Sequence, residues 1–478
     1  MVTQAEAFRG KFTRFYHTSY IFLAIRRHPG RPYCVQLHGQ LLFHRPFAAS
    51  CTRVAGFSGR PFKAVVVLFL HGGLDSWNAL VPHSCSPRDL YRDYRRRRTT
   101  VALNKSSLLA IRSDAADQPC SWFGLHPRLT ALQRAYAAGD ALAVANVGTL
   151  VEPTTKAQFG TPGSVQLPPQ LFSHNVQRRC VQNVHAQSIQ AKGVLGRAVT
   201  ALDAHEQRYR SRLFSTSGSA KMLEGAPHAP DFLDKEKGII QPELGGLGHL
   251  IRNITSPVSS SIFAETYKGA LEQALRTTEE LGAAMDAQRL SARFASDPIS
   301  MQLAQVCKVL KLQPQLQLER AAFFTEHFGF DTHTDAIGTV DVKLAEVNAA
   351  LASFEAELKA QGLWESVTVV TASDFGRTLT SNGQGTDHGW GGNIFVVGGA
   401  IKGGRVLGTY PSDLSEGNPL DIGRGRMLPT LPWEAVWSGV LEWFGIEASQ
   451  MDTVLPNRQN FAASQLIGAA QMFEAGPR

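Results

Sequence analysis

Six consecutive apolar residues, Val65-Val-Val-Leu-Phe-Leu70, closed by His71-Gly72-Gly73, constrain this chain more than any other feature. A run without polar alternation reads as a strand buried on both faces, the situation of a parallel sheet covered by helices. The pattern recurs at 141–148 (Ala-Leu-Ala-Val-Ala-Asn-Val-Gly), 321–325, 366–371 and 393–397, with a helix expected near 127–137. Between the third and fourth runs, Val340, Leu344, Val347, Leu351, Phe354 and Leu358 step by four and three residues, which places all six on one helical face. Gly362 supplies the stop. Strand, helix, strand in this order is a βαβ unit, so the expected fold is α/β with a mostly parallel central sheet and helices on both faces.

Charge divides the chain. Residues 1–63 hold ten bases and one acid (Glu6), a balance of +9 against a formal total of +8, which leaves −1 for everything beyond. A globally basic nucleic-acid binder would stripe its folded domain with charge, and this body is nearly neutral. Residues 1–62 read as a basic, Arg-rich leader of the kind that suits organellar targeting. Arg26-Arg27 follows its apolar run where a twin-arginine export signal needs the run afterwards. The body expected to fold is 63–478, with a loop-rich insertion at 152–260. Arg95 to Arg98 reads as a solvated helix face. No stretch reaches the ~18 apolar residues of a membrane span. The six cysteines lie far apart with no Cys-x-x-Cys, so neither a zinc knuckle nor a dense disulfide framework is indicated. Cys85-Ser86-Pro87-Arg88 departs from the sulfatase signature Cys-x-Pro-x-Arg because the arginine comes one residue early.

Ligands of a parallel sheet gather beyond the carboxyl ends of its strands. Three such ends carry an Asp with a His or Arg nearby: His71-Gly-Gly-Leu-Asp75, Asp331-Thr-His333 and Asp374-Phe-Gly-Arg377. Asp387-His388 stands just before the fifth run. Converging carboxylates repel one another unless a cation is present. Asp oxygens and His nitrogens from separate strand ends are the donors that a divalent metal needs, and two metals clamp the attacking and leaving oxygens of a phosphoryl or sulfuryl ester. Arg377 fits as a planar fork for a tetrahedral oxyanion. The esterase reading suggested by His71-Gly72-Gly73 fails for want of a Gly-x-Ser-x-Gly elbow.

Six motifs carry a resemblance: Gly-Gly-x-Asp (72–75), Asn-Val-Gly-Thr-Leu-Val-Glu-Pro-Thr-Thr-Lys-Ala-Gln (146–158), Phe-Asp-Thr-His (330–333), Ser-Asp-Phe-Gly-Arg-Thr (373–378), Gly-Thr-Asp-His-Gly-Trp-Gly-Gly (385–392) and Gly-Arg-Gly-Arg-Met-Leu-Pro-Thr (423–430). Together they resemble the domain of unknown function 1501 family, itself similar to the alkaline phosphatase and sulfatase superfamily. The resemblance implies an alkaline-phosphatase-like three-layer sandwich with a two-metal site, and export from the cytoplasm. It implies Asp331, His333 and His388 as the first metal's ligands, and Asp374 with Asp387 or Asp75 as the second's. Two positions depart from that pattern: Gly72 stands where the first strand usually ends in Asp, and Phe375 where a His usually follows. The second site is therefore expected to be oxygen-rich, favouring Mg²⁺, Mn²⁺ or Ca²⁺ over Zn²⁺.

A nucleophile is sought at a helix N-terminus. Thr154 and Thr155 follow Pro153, and Ser173-His174 is a second option. Alternatively these are N-cap residues, or a metal-bound hydroxide replaces a side-chain nucleophile. The expected function is metal-dependent hydrolysis of a small-molecule or polymer-bound anionic ester, with His71, Ser173, His174 and Arg377 as substrate contacts. A non-catalytic binding or scaffold protein on the same fold is the alternative. The expected cofactor is one or two divalent ions.

Overall fold

A computed structural model describes residues 60–476, apart from 114–115, 206–208 and most of 240–278. The leader expected over 1–62 therefore lies almost wholly outside the described residues. In chain order the strands are β1 (Lys63–His71), β2 (Leu80–Cys85), β3 (Leu109–Arg112), β4 (Cys120–Leu125), β5 (Ala141–Gly148), β6 (Ser211–Ser215), β7 (Asp231–Asp234), β8 (Gly238–Ile239), β9 (Arg320–Phe328), β10 (Val367–Ser373), β11 (Arg377–Ser381), β12 (Thr386–His388), β13 (Gly392–Val397), β14 (Val406–Leu407) and β15 (Leu431–Pro432). Ten of them form the central sheet in the order β14-β5-β13-β10-β1-β9-β6-β7-β8, with β15 beside β5.

β1 runs parallel to both β10 and β9. Its seven central residues are all buried, and successive side chains enter opposite cores. Val66 and Leu68 join one cluster with Leu303, Val306 and Phe354. Val65, Val67 and Phe69 join the other with Leu195, Trp437 and Leu441. Period-two alternation into two apolar layers is why the run contains no polar position. The result is the expected α/β fold, with a mostly parallel sheet between helical layers.

The predicted crossover helix is Ala336–Gln361, and Gly362 ends it in the left-handed conformation at φ 68°. All six residues of its predicted face are buried. Burial of each such Leu, Val or Phe is worth about 1.5–3 kcal/mol, enough to carry the helix across β1 from β9 to β10. The helix expected near 127–137 is Thr130–Ala138.

Three features differ from expectation, and one disulfide adds to the fold. β13 runs antiparallel to both β10 and β5, a reversal that an apolar run cannot announce. The span 152–260, expected as a loop-rich insertion, contributes helices His174–Asn183 and Val194–Ala204 and strands β6, β7 and β8. The arginine run is only partly solvated: Arg98 is buried against Asp75 and Arg97 pairs with Asp421 at 2.8 Å. Cys85 and Cys120 form a disulfide joining β2 to β4. Among the described residues no helix is long and apolar enough to cross a membrane.

Candidate metal centre

The reversal of β13 assembles the site. Asp331 and His333 follow β9, and Asp374 follows β10, so all three lie beyond carboxyl ends of parallel strands. His388 precedes β13, which enters the sheet from that same edge because it runs the other way. The two loops are stitched together: Thr386 N donates to Thr332 O at 3.0 Å, and Asn382 Nδ2 to His333 O at 3.0 Å. His174, the first residue of helix His174–Asn183, comes from the 152–260 span.

Donor atoms of His174, Asp331 and His388 converge within 4.8 Å of one another, and His333 Nε2 lies beside two of them. His388 Nε2 lies 3.0 Å from His174 Nε2 and 2.9 Å from His333 Nε2. Asp331 Oδ1 lies 3.4 Å from His174 Nε2, 3.2 Å from His333 Nε2 and 3.4 Å from His388 Nε2. The opposite ring nitrogens determine the tautomers. His174 Nδ1 is 2.6 Å from Asp374 Oδ2, His333 Nδ1 is 3.1 Å from Asp387 Oδ1, and His388 Nδ1 is 2.7 Å from Phe172 O. Carboxylates and carbonyls only accept, so each Nδ1 carries the proton and each neutral ring turns its Nε2 lone pair inward. Lone pairs and a carboxylate oxygen facing one another repel without a cation. Zinc bonds of 2.0–2.2 Å place tetrahedral ligand atoms about 3.3 Å apart, close to the spacing among His174, His388 and Asp331. These three residues therefore fit one ion, and a donor set of imidazoles and a carboxylate suits zinc better than magnesium or calcium.

Electrostatics follow the same geometry. The Asp374 hydrogen bond raises the His174 pKa, whereas burial lowers that of His388. Burial alone would raise the Asp331 pKa, but its hydrogen bond and charge contact with Arg377 hold it below the usual value. Asp387 is likewise lowered: burial opposes, and contacts with Asn382, His333 and Arg424 prevail. Phe375, where a histidine was expected, packs its ring 4.8 Å from both His174 and His388 and forms an apolar wall behind them.

The other residues expected at the site support it from outside or serve the fold. Asp374 and Asp387 touch the histidines' outer nitrogens and so orient ligands, in the manner of the carboxylate–histidine pairs that support metal sites. Asp75 is buried in an ion pair with Arg98. The oxygen-rich second set therefore does not assemble among the described residues. Gly72, at φ 118°, allows β1 to end against the Asp331 backbone, where a Cβ would come within 2.4 Å of Asp331 N. Arg377 is fully buried; it donates to Asp331 Oδ1 at 2.6 Å, to Gly72 O at 3.1 Å and to Thr386 O. That fork is occupied by protein and is not presented to a substrate. Thr155 caps helix Lys156–Phe159 in a capping box with Gln158, and Thr154 Oγ1 donates to Glu152 O at 3.0 Å. Ser173 is the N-cap residue of the His174 helix. His71 Nε2 accepts from Arg178 at 2.5 Å. Sequence reasoning placed His174 among substrate contacts, whereas its Nε2 faces the ligand cluster. Its only sequence signal is a histidine at a helix start within a polar span.

The fold and site together define an α/β sandwich with a histidine-rich cluster at one sheet edge. The chain belongs to the family described as "Protein of unknown function (DUF1501)", matched over residues 62–417. No curated protein matches it in sequence. Among solved structures it is similar to the lipoteichoic acid synthase LtaP from Listeria monocytogenes, with 9% identity, 82% of this chain and 74% of that chain covered, and TM-score 0.33. It is also similar to the C-terminal periplasmic domain of EcEptC from Escherichia coli in complex with Zn, with 11% identity, 86% and 91% covered, and TM-score 0.35. A third is the PsFucS1 sulfatase from Pseudoalteromonas sp., with 11% identity, 82% and 68% covered, and TM-score 0.33. Likenesses this distant say nothing of chemistry, which rests on the chain's own residues.

Proposed function

We propose that this protein is a metal-dependent hydrolase of phosphate or sulfate esters, using one zinc ion held by His174, His388 and Asp331, with His333 beside them. The observation that supports it most is the convergence of the His174 and His388 Nε2 lone pairs with Asp331 Oδ1, each histidine oriented from behind. An ion held there supplies Lewis-acid polarisation of an ester oxygen and activation of water. The chain's own groups do the rest. Asp374, Asp387 and the Phe172 carbonyl keep the rings aligned, Phe375 excludes water from behind, and cationic groups on the open side attract an anion.

A further histidine, His333, beside the three donors favours a second reading: a non-catalytic scaffold with one structural ion. Exposure supports the hydrolase reading. Structural zinc sites are closed, whereas the Asp331 and His333 side chains are 48% and 43% exposed. Asp331 also divides its Oδ1 between the centre and Arg377, which weakens it as a ligand and leaves a position that a substrate oxygen or water can take.

The test is metal analysis of the purified full chain with a panel of phosphate and sulfate esters. The expected result is one zinc per chain and ester hydrolysis, both lost in His388→Ala. Zinc binding without hydrolysis of any ester leaves the scaffold; a chain that takes up no metal on reconstitution ends both readings. We further propose an oxidising, extracytoplasmic setting, supported by the Cys85–Cys120 disulfide. Mass measurement of the natural protein with and without thiol alkylation tests this, and two free thiols at these positions would overturn it.

A further inference from the structure

The motif Gly423-Arg424-Gly425-Arg426 has no part in the ligand set, yet both of its guanidinium groups stand at the rim of the centre. Arg424 Nη2 donates to Asp387 Oδ2 at 2.8 Å, and the other oxygen of Asp387 holds His333. Arg426 stacks its guanidinium 4.1 Å from the Phe172 ring and donates from Nε to His388 O at 3.2 Å. Each arginine thus reaches a different histidine of the cluster, one through a carboxylate and one through the main chain. The loop is built for this delivery: Gly423, Arg424 and Gly425 all have positive φ (105°, 60° and 73°). A side chain at Gly425 would come within 2.4 Å of Thr380 N, so the turn is held tightly against β11. Two like charges are thereby kept as neighbours, each raising the cost of the other. Arg424 is 69% exposed, and Arg426 uses only its Nε in a protein hydrogen bond among the described residues.

We propose that Arg424 and Arg426 form the oxyanion-binding clamp of this centre, gripping the tetrahedral phosphate or sulfate group of the substrate in place of the buried Arg377. This rests on the hydrolase reading above for the identity of the ester, but the binding itself does not require turnover. Planar forks give two parallel hydrogen bonds to such a group. Anion binding also relieves the repulsion between the two guanidinium groups.

The experiment uses the zinc-loaded full chain and titrates inorganic phosphate and inorganic sulfate calorimetrically into wild type, Arg424→Ala, Arg424→Lys and Arg426→Ala. Each alanine variant is expected to weaken binding of the preferred anion about 10- to 100-fold, the range of a lost charge-assisted hydrogen bond. Arg424→Lys is expected to recover part of the loss, because it keeps the charge but not the fork. In hydrolysis the loss is expected in KM more than in kcat. Zinc content, measured in parallel, separates anion binding from damage to the ligand shell. Should Arg424→Ala lose zinc through Asp387, Arg426→Ala decides, since it touches a ligand residue only at a main-chain oxygen. Wild type that binds neither anion, or alanine variants that bind as tightly as wild type, would overturn the clamp. Anion binding without hydrolysis defeats the hydrolase reading and leaves the clamp standing; hydrolysis with unchanged KM in both variants does the reverse.

Discussion

Asp374 distinguishes one metal from two. If it ligates a second ion, as the resemblance implied, wild type binds two metals and Asp374→Asn loses one. If it orients His174, wild type binds one, and the variant keeps that stoichiometry at lower affinity. The carboxyl is buried, lies 2.6 Å from His174 Nδ1 and accepts from Gly72 N at 3.3 Å. Asparagine keeps an acceptor of the same shape and removes only the charge. The loss is then the difference between a charge-assisted and a neutral hydrogen bond, about 1–1.5 kcal/mol, or roughly tenfold in zinc affinity. Alanine removes the acceptor altogether and should approach the upper end of the 10- to 100-fold range for such outer partners, about 2.7 kcal/mol. Competition with a chromophoric chelator measures the affinity, and elemental analysis measures the stoichiometry. Two ions in wild type, or zinc affinity unchanged in Asp374→Ala, would refute the orienting role.

Three other residues lend themselves to direct tests. Thr155→Ala removes the cap of helix Lys156–Phe159 and should cost about 1 kcal/mol of stability with no change in ester hydrolysis; a loss of activity with zinc retained would restore Thr155 as nucleophile. Arg377→Met leaves the Asp331 carboxylate and the Gly72 and Thr386 carbonyls without their buried donor, so the melting temperature should fall by the equivalent of about 3–5 kcal/mol; a change confined to KM would make Arg377 a substrate contact. Burial holds the His126 pKa down at about 4, so the folded state binds its proton less readily than the unfolded chain near 6.5. Stability should fall as pH drops from about 6.5 toward 4, by about 2 kcal/mol at pH 5. His126→Gln should flatten that part of the profile in thermal melts, and an unchanged slope would count against the assignment.

The sheet and its principal crossover were legible because their signals are local. Val340 through Leu358 announce one helical face without reference to anything distant, and the central run of β1 betrays double burial by lacking any polar position. The division between inner and outer ligands was not legible. Asp374 and His174 are 200 residues apart, and only their meeting shows that the histidine nitrogen faces the centre while the carboxylate stands behind it. An arginine beside an aspartate likewise reads the same whether its fork points at substrate or into protein. Arg377, Arg97 and Arg98 all point into protein, because buried carbonyls and carboxylates there require a donor.

The direction of one strand decides whether the site exists. β13 spans six residues, or about 20 Å at the ordinary rise of a strand. Run parallel to its neighbours, it would begin at the far edge and carry His388 about that distance from Asp331 and His333, so the cluster would lose the histidine that touches both His174 and His333. The motif at 385–392 looked like a site element because it holds Asp and His, but composition does not place a residue that precedes a strand. The sequence does contain a reason for the reversal in the turn at the centre of the link. β11 and β12 form a hairpin between β10 and β13, pairing Arg377 with His388 and Ser381 with Thr386. A hairpin returns the chain to the edge it left, whereas a parallel strand needs a crossover of a dozen or more residues, usually a helix. The eighteen residues between Ser373 and Gly392 have the Asn382-Gly-Gln-Gly385 turn, not a helical repeat, at their centre. The same hairpin that returns β13 to the edge it left also holds Arg377, Asp387 and His388, so topology and ligand placement are set by one stretch of chain.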